Sequence, residues 1–168
     1  LLDTFYCLDR NNDSICDKVE AMTENSDITT PLNKSTALVS KVIDGDTIEL
    51  ENGIRVRLTG IDAPEEKEPY FKEATDRLKE LVEGKTVVLE SDTMDKDEHC
   101  RPLRFIFVDD LFVNLQLIKE GYASAYILKP NIKYETALVN AESEAKTLKL
   151  KIWELLVGEN LCDNISNL

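Results

Sequence analysis

Residues 36–60 read TALVSKVIDGDTIELENGIRVRLTG, and this stretch decides the fold. Apolar and polar side chains alternate through 36–43, 46–52 and 54–60, and β-branched residues are frequent. Such a pattern is typical of half-buried strands. Asn52 and Gly53 stand between the second and third runs and predict a tight hairpin turn. The sequence therefore predicts three successive strands at the start of the main domain.

The chain beyond this stretch alternates between helical and strand patterns. Helical spacing predicts a helix within 69–84, a short helix within 111–121 and a long amphipathic helix over 134–149. Strand patterns cover 86–91 and 102–109, and 122–127 reads as a brief extended piece. Three strands, a helix and two more strands follow the order of an OB-fold barrel. We therefore expect an α+β protein, with a five-stranded OB-fold barrel, about three helices and a short N-terminal module.

Composition and charge limit the organisation and the function. The 168 residues suit one compact domain with a small appendage. We divide the chain into a module at 1–22, a linker at 23–36, a main domain at 37–158 and a tail at 159–168. The net charge of −13 argues against a general polyanion-coating protein, but a nucleic-acid enzyme with local positive charge is not excluded. No membrane-spanning run or signal peptide is found, so we expect a mature or trimmed product.

The densest set of acidic side chains falls on the turns beside the first three strands. Asp44 and Asp46 lie on one turn, and Asp62 and Glu65 follow the strand that carries Arg57. A hairpin would bring Asp46 close to Asp62. Two carboxylates with nearby backbone carbonyls suit a hard divalent cation such as Ca²⁺.

The neighbouring residues suit chemistry on a phosphate. Glu65 could orient or deprotonate a water, and Arg57 and Arg101 could clamp a phosphate through bidentate hydrogen bonds. Each acid taken alone is as typical of a surface turn, and each arginine as typical of a surface ion pair. The combination of all of them favours a phosphodiester-cleaving site.

Six segments appear in order along the chain: VSKVIDGDTIEL (39–50), IRVRLTGIDAPE (54–65), HCRPLRFIFVDD (99–110), FVNLQLIKEGYA (112–123), LKPN (128–131) and KLKIWE (149–154). Together they resemble the staphylococcal (micrococcal, thermonuclease) nuclease family over about 37–156. The resemblance implies an OB-fold enzyme that cleaves DNA and RNA with Ca²⁺. It also implies products with a 3′-phosphate and a 5′-hydroxyl.

The resemblance assigns a role to each matching residue of the metal site. Asp46 and Asp62 would hold Ca²⁺ through their carboxylates, and Ala63 through its backbone carbonyl. Asp44 would be an accessory acid nearby. Ala63 stands where the family commonly has Thr, which removes a hydroxyl and keeps the carbonyl.

The same resemblance assigns catalytic and substrate-binding roles. Glu65 would be the general base, while Arg57 and Arg101 would bind the phosphate and stabilise its transition state. Tyr126 would contact the nucleotide, and His99 stands at the position of another nucleotide-stacking tyrosine.

Further departures from the family affect substrate binding. Leu128 replaces a second tyrosine, Glu98 occupies a position that is often basic, and the segment after Glu65 is short. They leave the catalytic set intact and bear on the contacts to the base and the 3′-side phosphate. Because the chain is acidic, we also expect weaker affinity for long duplex DNA than in a basic relative.

A second calcium site is predicted near the N-terminus. Residues 9–20 match the twelve-residue EF-hand spacing, with Ser14 at the usual glycine position. The ligands would be Asp9, Asn11, Asp13, Ile15 through its backbone carbonyl, Asp17 and Glu20. The stretch is also similar to small extracellular calcium-binding modules found beside nuclease domains of this family, although its cysteine comes one residue earlier. A bound Ca²⁺ here would be structural, and a solvated polar loop is the alternative.

The four cysteines suggest disulfides and an extracellular or cell-envelope location. Cys7 and Cys16 bracket the front of the loop and could pair, which would leave Cys100 with Cys162; three connectivities exist. We expect a monomeric nuclease acting on DNA and RNA without a membrane span. The alternatives are a non-catalytic OB-fold binding module and a calcium-dependent attachment protein.

Overall fold

The computed structural model describes residues 6–8, 17–19 and 33–157. Two short strands, β1 (Tyr6–Leu8) and β2 (Asp17–Val19), pair antiparallel with Cys7 opposite Lys18. The other predicted loop ligands at 9–15 and Glu20 lie outside the described residues, as do Cys16 and Cys162. The second calcium site and the disulfide pairing therefore stay predictions.

Five strands build the barrel that the alternating sequence pattern predicts. They are β3 (Lys34–Val42), β4 (Thr47–Leu50), β5 (Arg55–Leu58), β7 (Thr86–Glu90) and β8 (Leu103–Val108). The sheet order is β5-β4-β3-β7-β8, and a parallel pairing of β5 with β8 closes the barrel. This arrangement confirms the predicted OB-fold. The first strand begins at Lys34, so its first three residues fall within the segment we had assigned to the linker.

The long strand β3 serves two neighbours. Its first half pairs with β7, and its second half pairs with β4 after a register shift between Val39 and Lys41. Such an irregularity lets one strand turn the corner between two parts of a barrel. The hairpin at 51–54 follows as predicted, with Gly53 at a φ of 81° that favours glycine.

Three α-helices cover the barrel: α1 (Phe71–Val82), α2 (Val113–Lys119) and α3 (Glu135–Thr147), followed by a 3₁₀ helix at Lys151–Val157. The helix predicted from residue 111 begins two residues later, because Leu111–Phe112 form β9 against β8. Strand pairing wins there because Phe112 stacks on Phe107, with ring centroids 4.7 Å apart. In the described ranges, none of the helices has both the length and the apolar character needed to cross a membrane.

The core lies inside the barrel and beneath the helices. Its largest buried side chains include Phe105, Ile48, Leu58, Leu78 and Leu138. The buried amide of Asn114 on α2 accepts from Ile106 N at 2.9 Å and donates to Thr59 O at 2.8 Å. It thereby fixes the strand end at residue 59.

Two short strands extend from this end of the barrel. They are β6 (Ile61–Asp62) and β10 (Ser124–Ala125), which pair antiparallel with Asp62 opposite Ser124. The pairing ties the second predicted acidic turn to the segment that leads into Tyr126.

Candidate active site

The turn before β4 holds the first two predicted acids. The Asp44 carboxylate accepts from Asp46 N at 3.1 Å, which closes a small turn around Gly45. A Cβ at Gly45 would lie 2.5 Å from the Ala63 Cβ and 3.0 Å from the Ala74 Cβ. Only glycine permits so close an approach of the turn to β6 and α1. Burial raises the pKa of Asp44 above its ordinary range, because it disfavours the charged form of the carboxyl group.

Asp46 joins this turn to the one after β6. Its Oδ2 atom accepts from the backbone N–H of Ala63 at 2.8 Å, and its Oδ1 atom accepts from the Thr47 hydroxyl at 3.2 Å. The backbone N–H of Leu58 donates to the carbonyl of Asp46 at 2.8 Å. The carboxylate is buried and held by Ala63 and Thr47, while Leu58 holds the backbone of Asp46, so this side chain is positioned as a preorganised ligand would be.

Arg57 brings Asp46 and Asp62 together. One terminal nitrogen of its guanidinium contacts Asp46 Oδ2, and the other donates to Asp62 Oδ1 at 2.9 Å. The Arg57 side chain is 15% exposed and that of Asp62 is 51% exposed. Burial lowers the pKa of the guanidinium from its usual range, and the positive charge of Arg101 acts in the same direction. The predicted approach of the two acids is therefore present, with one cation between them.

The donor set suits a hard cation that keeps part of its water shell. The carboxylates of Asp46 and Asp62 and the backbone carbonyl of Ala63 are all oxygen ligands. The position of the Arg57 guanidinium shows that positive charge is stabilised between the two acids. Within the described ranges, no group of three His, Cys, Asp or Glu side chains is arranged to hold a metal ion. The carboxylate oxygens of Asp46 and Asp62 are the kind of ligand that a hard cation such as Ca²⁺ prefers.

A turn at 97–101 positions Arg101. Both oxygens of the Asp97 carboxylate take part: Oδ1 accepts from Arg101 N at 2.9 Å, and Oδ2 accepts from Arg101 Nε at 2.7 Å. The same Oδ1 accepts from His99 N at 3.0 Å. We did not assign Asp97 a role from the sequence; an aspartate at the start of a tight turn was the available signal.

Arg57 and Arg101 open onto one cleft of about 600 Å³. Asp62, His99 and Tyr126 also line it. Tyr126 is 54% exposed, and its backbone N–H donates to Gly60 O at 3.0 Å. His99 lies at the exposed rim with its Nε2 atom 3.6 Å from Glu98 Oε1. The structure thus brings five of the predicted residues to one cleft.

Glu65, the predicted base, stands apart from this group. It is exposed on the turn after β6, and its backbone N–H donates to Glu68 Oε2 at 2.7 Å. Within the described residues, the Glu65 carboxylate has no hydrogen bond or ion pair. Its side chain is therefore free to turn toward a substrate.

The loop after β10 forms the other wall of the cleft. Leu128 lines it in place of the tyrosine expected there. The buried amide of Asn131 holds this wall: its Oδ1 accepts from Met94 N at 2.6 Å, and its Nδ2 donates to Met94 O at 2.9 Å. The LKPN segment was the available signal for Asn131, although we assigned no role to it.

Comparison with known proteins places the chain in a family. Residues 55–155 match the family described as staphylococcal nuclease homologue. Over 126 residues the chain is 39% identical to a thermonuclease of Staphylococcus intermedius, covering 70% of this chain and 75% of that one. Over 130 residues it is 36% identical to a thermonuclease of Staphylococcus hyicus, covering 72% and 77%.

A relative from Bacillus subtilis supports the same family assignment. Endonuclease YncB of Bacillus subtilis is 40% identical over 126 residues, covering 68% of this chain and 60% of that protein. The fold and site define a nuclease of the OB-fold class. The chain belongs to the staphylococcal nuclease family.

Proposed function

We propose that this protein is a calcium-dependent endonuclease that hydrolyses phosphodiester bonds of DNA and RNA. The observation that carries the proposal is the Arg57 guanidinium between Asp46 and Asp62, at the edge of the cleft that also holds Arg101. A scissile phosphate is an anion, and two arginines beside paired carboxylates can position both that anion and a cation.

The cation has a defined place in this proposal. The carboxylates of Asp46 and Asp62 and the carbonyl of Ala63 would hold Ca²⁺. When bound, it would supply positive charge that stabilises the charge developing on the phosphate. Asp44, whose carboxylate accepts from Asp46 N, keeps the turn in place.

The side chains then divide the hydrolysis between them. Glu65 takes a proton from the attacking water as its oxygen forms a bond to phosphorus. The bond from phosphorus to the 5′ oxygen breaks, and Arg101 stabilises the charge on that leaving oxygen. Arg57 uses two of its five N–H donors for Asp46 and Asp62 at most, so donors remain for a phosphoryl oxygen.

Substrate contacts follow from the walls of the cleft. Tyr126 is exposed enough to stack on a base, and His99 can contact a phosphate or a base at the rim. We expect 3′-phosphate and 5′-hydroxyl products from the family resemblance.

Cleavage of single-stranded and duplex DNA tests this function. We expect cleavage with Ca²⁺, none with a chelator, and a loss of about 10²-fold or more in kcat for Glu65→Gln. Glu66→Gln is the matched control, since Glu66 is exposed on the same turn and has no proposed role. If the wild-type chain binds DNA but cuts none under any of these conditions, the non-catalytic OB-fold binding module replaces this proposal.

The N-terminal segment and the location belong to the same proposal. We propose a monomeric extracellular or envelope protein with a structural Ca²⁺ in the 9–20 loop and disulfides among its cysteines. Calorimetric titration of the full chain should give two calcium-binding events, and Glu20→Gln should remove one while cleavage persists. A single event in the wild-type chain would contradict the second site.

A further inference from the structure

The charge on the cleft differs from the charge of the whole chain. Although the net charge is −13, four cationic side chains line the cleft against three carboxylates. The cations are Arg57, Lys96, Arg101 and Lys129, and the carboxylates are Asp62, Asp97 and Glu98. Both arginines are paired with carboxylates, so the two lysines decide the remaining positive charge.

Lys96 lies between two aspartates that are already engaged. Asp95 Oδ1 lies 2.7 Å from Arg104 Nη2, and Asp97 Oδ2 lies 2.7 Å from Arg101 Nε. Within the described part of the chain, no carboxylate lies within ion-pair distance of Lys96. Lys96 therefore lines the cleft with a charge that neither neighbouring aspartate neutralises in an ion pair.

Lys129 carries the same kind of charge on the opposite wall. It is exposed, and no carboxylate among the described residues pairs with it. The Asn131 amide binds both the N–H and the carbonyl of Met94, which clamps the two walls together. Each lysine stands two residues from this clamp, so both occupy fixed segments that meet at one end of the cleft.

We propose that Lys96 and Lys129 form a subsite for a phosphate next to the scissile one. Ammonium groups bind phosphates as point charges, and an unpaired one has no internal carboxylate to give up first. The subsite would replace the positive charge missing at Glu98 and would direct the enzyme toward polynucleotides. The proposal rests on the proposed function, because it needs a scissile phosphate at Arg57 and Arg101.

Salt-dependent binding tests the subsite without cleavage. In the full chain carrying Glu65→Gln, with Ca²⁺ present, a fluorescent single-stranded oligonucleotide is titrated at several salt concentrations. Lys96→Gln and Lys129→Gln should each raise Kd about 2- to 5-fold. Each should also reduce the slope of log Kd against log salt by about 0.7. Lys41→Gln is the matched control, because Lys41 is exposed on β3 outside the cleft and has no ion-pair partner among the described residues either.

Kinetics of chains with Glu65 intact provide the second readout. The double lysine variant should raise KM more for an oligonucleotide than for an ester with one phosphodiester bond. A double variant that matches Lys41→Gln in Kd and salt slope overturns the subsite, even if the wild type cleaves normally. Lysine-dependent binding without any cleavage by the wild type overturns the nuclease proposal, and with it a subsite next to a scissile phosphate, and leaves Lys96 and Lys129 as a phosphate-binding pair of a non-catalytic module. An absence of oligonucleotide binding by the chain that carries Glu65→Gln alone overturns both.

Discussion

Two clusters of carboxylates and cationic side chains in this protein have different roles, one at the candidate active site and one in the structure of the barrel. At the site, Arg57 contacts the two carboxylates of Asp46 and Asp62, and Asp62 is half exposed at the cleft. The two carboxylates outnumber the one guanidinium that contacts both of them, so oxygen atoms remain that can bind a cation. This imbalance is what a metal-dependent phosphate site needs.

The second cluster surrounds Glu90 at the end of β7. Glu90 is fully buried, and its oxygens contact Lys34 at 2.9 Å, Lys133, and the Tyr134 hydroxyl at 3.2 Å. Here two ammonium groups surround one carboxylate, and each oxygen has a partner. Because both carboxylate oxygens of Glu90 are already engaged by these groups, we interpret this cluster as a structural fastener between β3, β7 and the segment before α3.

Removal of the Glu90 charge tests the fastener and should have the largest effect. Glu90→Gln leaves Lys34 and Lys133 without their shared carboxylate, and we expect a loss of about 2–4 kcal/mol in the free energy of unfolding. Urea denaturation measures it. Glu120→Gln is the control, since that carboxylate pairs with Arg77 at a partly exposed position and should lose less. Equal losses would remove the distinction between the two kinds of pair.

The same variant gives a prediction for pH. Burial alone would raise the pKa of Glu90, but the hydrogen bonds from Lys133 and Lys34 hold it below its ordinary value of 4.5. The stabilisation is therefore fully present above about pH 5.5 and is lost as the pH falls below the ordinary value. The stability difference between wild type and Glu90→Gln should shrink in acid. A difference that grows as the pH falls would contradict the sign of this shift.

Replacing Arg57 should lower catalytic activity more than it lowers the stability of the fold. Arg57→Lys keeps the charge between the acids but loses the fork that can reach a phosphate as well. We expect kcat/KM to fall about 10²- to 10³-fold. Arg55→Lys, on the same strand but exposed, is the control. Activity near the wild-type level in Arg57→Lys would show that charge alone suffices.

Local pattern explains why the barrel and half of the site could be predicted. Strand alternation is a property of neighbouring residues, and a hairpin places its two strand ends together, so Asp46 and Asp62 were found from 36–62 alone. The helix within 69–84 was likewise visible from its own spacing, and the structure gives it as Phe71–Val82.

Contacts that depend on the tertiary structure could not be predicted from the sequence. Glu90 ends a strand and looks like a surface residue, but its partner Lys133 comes 43 residues later. Asp95 and Asp97 both border Lys96, and only the folded turn determines that they bind arginines instead. The roles of the site residues in catalysis also stay predictions, since geometry assembles them without showing a reaction.

The smallest expected effect concerns Arg101, the second arginine of the site, whose ion pair with Asp97 joins one cation to one carboxylate. Asp97→Asn keeps one acceptor oxygen for the backbone N–H groups of the turn, but it replaces the oxygen that accepts from Arg101 Nε with an amide donor and removes the charge. We expect a fall of about 3- to 10-fold in kcat, because Arg101 would still carry its charge but less often in the right orientation.

Asp95→Asn is the matched control for this change. It also removes an arginine's carboxylate one residue from Lys96, but its partner Arg104 does not line the cleft. Each variant therefore removes one negative charge beside Lys96, and a difference in kcat reports on the role of Asp97 in the cleft, where it holds Arg101. If both lower kcat alike, Asp97 acts only through the electrostatics of the loop. A fall in kcat confined to Asp97→Asn would mean that a single ion pair can serve catalysis by orienting its arginine. A second carboxylate would then be needed only where a cation must bind, as at Asp46 and Asp62.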